Sequence, residues 1–161
     1  MARQNLYIIF VVLLCVCVFA QNKSDSNSNF IEPDYLVTGY YYLSKTPNNF
    51  RRQLSGTTKQ YYLKPSPIIT VKNFTSASVD KNNFGNYYVS INLDEAGGQK
   101  WSEATGKTIG DSLAIVINNE LIQVARVNAQ ITAPVTAVNK VGLTRSQADK
   151  YLKAIKAKMP K

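Results

Sequence analysis

The chain has 161 residues with 19 basic and 10 acidic side chains, a formal charge of +9, two cysteines and no histidine. The missing histidine removes the commonest general base, the commonest metal ligand and every Ser-His or Cys-His relay. Outside Cys15 and Cys17, zinc and iron sites would have to be built from carboxylates alone.

The N-terminus carries Arg3, an apolar run from Leu6 to Phe19 and small Ala20 ahead of polar Gln21. This order predicts a cleaved signal peptide over residues 1–20, with Val18 and Ala20 at the −3 and −1 positions. Two alternatives stay open: an uncleaved anchor, although a spanning helix needs roughly 20 residues and the run has about 15, and a lipoprotein held through Cys15 or Cys17. Both cysteines lie within the predicted signal, so the mature chain would have neither thiol chemistry nor a disulfide framework. Its roughly 140 residues suffice for one core without staples. The localisation expected is periplasmic or secreted.

Residues 21–29 are rich in Ser and Asn and read as a flexible tether, with a single ordered domain over 30–161. Leu36 to Leu43, with Tyr40, Tyr41 and Tyr42, has the aromatic density of a strand. Asn48 to Lys59 reads as a polar connection, and Tyr61 to Leu63 as a segment pairing beside the first strand. Pro65 and Pro67 precede the β-branched run Ile68 to Val71, which places that run at a sheet edge.

Tyr87 to Leu93 alternates with period 2, the pattern of a strand with one buried face. Asp94 is the N-cap of a following helix that turns Trp101 and Ala104 to the core, with Gly97 and Gly98 expected to make its first turns irregular. Leu113 to Ile117 is an unbroken apolar strand, expected at the sheet centre, and Leu121 to Val127 is its antiparallel neighbour across an asparagine turn. The segment from Ile131 to Val138 adds a short strand that Pro134 keeps from a central place. Thr144 and Gln147 form a capping box, and Ala148, Tyr151, Leu152, Ile155 and Met159 recur at helical spacing behind it. The order predicts an α+β fold, an antiparallel or mixed sheet with helices packed on one face.

Carboxylate-pair hydrolysis is the one enzymatic option left, through Asp94, Glu95, Glu103 and Asp111. Each has a structural role instead: helix cap, first-turn acid, polar helix face and loop. No catalytic, cofactor-binding or metal-binding residue is therefore assigned, and a non-enzymatic binding module is expected. Lys150, Lys153, Lys156, Lys158 and Lys161 supply much of the positive excess at the end of the last helix, facing solvent. No basic run is interleaved with aromatics, so no nucleic-acid partner is expected.

Phe74 to Ala77, Tyr88 to Leu93, then Gly97, Trp101 and Thr105, followed by Ile109, Gly110 and Leu113 to Val116, resemble the first periplasmic head subdomain of SecD and SecDF. Val127, Ile131, Leu143, Thr144 and Ala148 fall at its later positions, for a coverage of about 80 to 90 residues. Ala125 and Arg126 stand where the family usually has Ala-Pro, and Ala133 and Pro134 replace a glycine-rich turn. The resemblance implies an extracytoplasmic module that contacts protein or unfolded polypeptide, for instance by β-augmentation at the edge near Ile68 to Val71. A secreted inhibitor or immunity-type protein for one enzyme, and a module for anionic surfaces using Lys150, Lys153 and Lys156, are the alternatives. After cleavage no integral membrane span would follow. N-terminal sequencing of the exported protein should read from Gln21; retention of Met1 to Ala20 would show an anchor instead.

Overall fold

The computed structural model describes residues 34–161. The expected signal peptide, the tether and the start of order near Phe30 lie outside the described residues. Two antiparallel sheets and a hairpin, with two α-helices, make up the α+β architecture.

The central element is β7 (Ser112–Ile117), paired antiparallel on one side with β1 (Gly39–Tyr42) and on the other with β8 (Glu120–Arg126). β4 (Ile69–Thr70) completes this four-stranded sheet at the far edge of β1. Alternate β7 side chains feed two separate cores. Leu113, Ile115 and Ile117 pack with both helices and the second sheet, whereas Ala114 and Val116 pack with Leu36, Tyr41, Leu63 and Leu121. All the buried apolar helix residues of the first core, including Trp101, Ala148, Tyr151 and Ile155, lie on the Leu113 side, so the helices share one face of the sheet. The β7–β8 turn uses Asn118 and Asn119 at φ of 50° and 67°. Two successive positive-φ residues match the right-handed twist of a two-residue hairpin, and asparagine tolerates that conformation. Asn119 also accepts hydrogen bonds through Oδ1 from the Leu36 amide and the Arg52 guanidinium, which pins the chain entry and the next hairpin to this turn.

That hairpin corrects the reading of Asn48 to Lys59 as a plain connection. β2 (Arg51–Gln53) pairs with β3 (Gln60–Tyr62). Its Arg-Arg-Gln has no apolar alternation because Arg51 and Gln53 face water while Arg52, the residue turned inward, is held by hydrogen bonds to Asn119. Leu54 bridges to Leu121 of β8, and the Ser55 amide donates to the Leu121 carbonyl at 2.9 Å. The expected pairing of Tyr61 to Leu63 beside the first strand is limited to its end, through a Leu43–Leu63 bridge.

The second sheet has the order β5 (Phe74–Lys81), β6 (Tyr87–Leu93), β9 (Val135–Val138). β6 buries Val89, Ile91 and Leu93 as its alternation predicts, and β9 takes the edge place that Pro134 requires. α1 (Glu95–Lys107) follows β6 directly, with Asp94 Oδ1 accepting from the Gly97 amide at 2.6 Å. Its first turn is regular, contrary to expectation. The two glycines are there for proximity: a Cβ on Gly97 would lie 2.8 Å from the Asn73 Cβ, and one on Gly98 would lie 3.0 Å from the Pro134 side chain. α2 (Arg145–Lys156) carries the capping box in full and ends before Met159.

Gly39 sits where β1 crosses β4, and a Cβ there would lie 2.3 Å from the Ile69 carbonyl oxygen. Because that atom is backbone, Gly39→Ala should cost about 1–3 kcal/mol in chemical denaturation, the range for overpacking. Burial pushes the Tyr41 phenol up to about 12, with the nearby Tyr35 adding to the shift and Arg52 opposing it. Burial raises the Tyr40 phenol further, against the Thr136 hydrogen bond. Phenols raised in the fold stabilise it fully below their unfolded value near 10 and lose that contribution as pH rises towards the folded value. The denaturation midpoint should therefore fall above about pH 10, with Tyr40 and Tyr41 ionising only as the chain unfolds. Tyrosinate absorbance recorded in parallel would check this.

Candidate functional site

The carboxylates weighed for catalysis do not converge. Asp94 caps α1 and also accepts from Asn73 Nδ2. Glu95 is exposed in the first turn, Glu103 forms an (i, i+4) pair with Lys107 on the outer face, and Asp111 faces exposed Lys45 at 3.7 Å in a loop. Lys107 holds the Glu103 carboxyl below its usual range by hydrogen bonding and charge. Among the described residues no cluster of three acidic side chains occurs.

The edge at Ile68 to Val71 offers little to an incoming strand. β4 is two residues long, and Thr70 and Asn73 form a capping box that turns Val71–Asn73 into a 3-10 turn.

A cavity of about 620 Å³ lies elsewhere, between β8 and β9, each the last strand of its sheet. Gln123, Ala125 and Arg126 line it from β8, and Val135, Thr136 and Ala137 from β9. Thr136 is buried, whereas Val135 is exposed and Ala137 is partly so. Side chains from both faces of β9 thus border the space, which runs past that strand's outer edge. Tyr40, Trp101, Leu113 and Ile115 form the apolar floor. Tyr40 and Trp101 rings meet at 4.7 Å with a 58° tilt, and the Thr136 hydroxyl donates to the Tyr40 oxygen at 3.0 Å, which fixes the floor to the β9 wall.

The Trp101 indole Nε1 is buried with no hydrogen-bond partner, the one buried side-chain polar atom so left among the described residues. Leaving such a donor unpaired costs about 1–3 kcal/mol. Trp101 lines the cavity through other atoms of its ring system, since Nε1 has no accessible surface and faces packed protein. Arg126 is the single charged group in the lining. Trp101 was legible in the sequence as a core residue, but its unpaired N–H was not, since that depends on what the strands opposite fail to supply. Of the two places where the sequence departs from the resemblance, Ala125 and Arg126 form part of this wall, whereas Ala133 and Pro134 lie outside the lining.

Residues 46–150 match the family model of the SecDF P1 head subdomain. The chain belongs to the SecDF P1 head family. Solved structures agree in fold. One described as a membrane component SecDF that enhances protein export aligns with a TM-score of 0.62 at 17% identity, over 77% of this chain and 63% of that one. SecDF in its super-membrane-facing form aligns with a TM-score of 0.54 at 24% identity, over 59% of this chain and 13% of that one. This SecDF head chain thus spans less than two thirds of either relative's length. No curated protein matches it by sequence. Among the described residues no helix is long and apolar enough to cross a membrane.

Proposed function

We propose that this SecDF head domain is an accessory to protein export that holds an extended stretch of polypeptide in the cleft between β8 and β9, without catalysing a reaction. The observation that carries the reading is an apolar cleft, with Tyr40, Trp101, Leu113 and Ile115 as its floor, bounded by the last strand of each of two sheets. A peptide laid along β9 would supply carbonyl oxygens to the strand amides, and place alternate side chains on the Tyr40, Leu113 and Ile115 floor. Backbone recognition of this kind tolerates many sequences, which suits a component that meets polypeptides before they fold. In this reading residues 1–20 direct export and are removed, 21–29 tether, and the domain from residue 30 onward works in the periplasm or outside the cell.

A photoreactive amino acid placed at Ala125 or Ala137 should capture many different chains in the envelope, whereas the same probe at Lys150 should not. One stoichiometric enzyme would replace the reading with that of an inhibitor, and recovery of no polypeptide would overturn it. With a permanently unfolded, carboxymethylated protein as probe, Ala137→Trp should abolish binding by filling the cleft.

A further inference from the structure

The end of the second sheet where the β5–β6 turn emerges carries an exposure pattern that the cleft does not account for. Phe84 is 90% exposed and Val141 96% exposed, the two highest values among the large apolar side chains described. Both follow the same end of the second sheet: the β5–β6 turn leads into β6 at Tyr87, and the chain leaves β9 at Val138, which pairs with Val89 near that end of β6.

Both side chains are displayed on braced turns. Asn82 Oδ1 accepts from the Phe84 and Asn86 amides, each at 3.0 Å, and the Gly85 amide donates to the Asn82 carbonyl at 2.9 Å. On the other side the Leu143 amide donates to the Lys140 carbonyl at 3.1 Å, closing a turn with Val141 and Gly142 at its tip, and buried Leu143 anchors it. An apolar ring and an isopropyl group are thereby held in water by hydrogen-bonded backbone.

Behind these tips lies a collar of amphipathic and basic groups. The Tyr87 ring has the Lys81 ammonium 5.3 Å and the Arg145 guanidinium 5.8 Å from its centroid. Arg145 also pairs with Asp149 at 3.0 Å, so Lys81 is the freer cation at the tip. Exposed Lys150 and Lys153 continue the positive charge along α2, in a chain of net charge +9. Apolar tips backed by Tyr, Lys and Arg match the layering of a bilayer interface. There aromatic rings and long cations sit at headgroup level and apolar groups reach the acyl boundary. Two isolated wedges on turn tips suit a soft surface into which they can sink, whereas a folded protein partner would need a continuous face.

We propose that the Phe84 and Val141 turns insert into an anionic phospholipid surface, with Lys81, Arg145 and the α2 lysines contacting the lipid phosphates. This orients the head against the membrane independently of what the cleft holds.

The test uses the full chain carrying Phe84→Trp, with vesicles of phosphatidylcholine alone or with about one third phosphatidylglycerol. The added indole emission should shift blue and be quenched by bromine in the acyl chains with the anionic vesicles, while Trp101 in the unsubstituted chain shows neither change. This readout is local to the tip, so adsorption through residues 1–33 does not mimic it. Lys81→Gln in the same background should reduce the quenching-derived affinity about fivefold, and Phe84→Ser with Val141→Ser should lower partitioning tenfold or more. Absence of shift and quenching, equal response to neutral vesicles, or binding to a soluble polyanion with the tip still in water would each overturn the proposal. Loss of polypeptide capture by cleft variants that still show tip quenching would bear on the cleft alone.

Discussion

The fold depends on the burial of β7 on both faces. Five consecutive residues, Leu113 to Ile117, are buried, and each adjacent pair serves opposite cores. Such a strand cannot be left at an edge or facing water, so β1 and β8 must flank it, the helices and the second sheet must cover one side, and the β2–β3 hairpin with Leu36 the other. The Asn118–Asn119 turn sets the register of β8 on β7 as far as a bulge between Ile115 and Val116, and through Asn119 it also fixes Arg52 and the chain before β1. One apolar strand and one turn thus determine where most of the remaining elements go.

The cleft is a by-product of that arrangement that the protein has kept open. β8 ends the first sheet and β9 ends the second, and nothing among the described residues bridges them beyond the Asn139 amide donating to Gln123 Oε1 at 2.8 Å. Aromatic packing and the Tyr40–Thr136 hydrogen bond hold the cleft floor to the β9 wall.

How much was legible in the sequence follows from where each signal resides. β6, the β7–β8 hairpin and α2 were readable because their alternation, asparagine turn and capping box are local. Asp94 as the cap of α1 and the edge place of β9 were readable for the same reason, through one side chain and one proline. β2 and β5 were not read as strands from their own residues: Arg51–Gln53 is polar throughout, and only Phe74 and Ala77 of β5 are buried. Gly97 and Gly98 read as weak helix formers because propensity is local, whereas their small size answers to Asn73 and Pro134, far away in sequence. The cleft depends on two strand edges that fail to meet, a relation between elements that no residue pattern encodes.

The family match begins at residue 46, after β1, and ends at residue 150, partway through α2. The folding unit is larger than the recognisable family segment at both ends. A polypeptide cut to residues 46–150 would lose Tyr40 and Tyr41, one from each core, and would bare the long inner edge of β7 as a template for strand pairing between molecules. It would also drop Tyr151 and Ile155, which seal the helix-covered core. Domain boundaries drawn from similarity alone would therefore yield an aggregating fragment, and the smallest autonomous piece must retain both flanks.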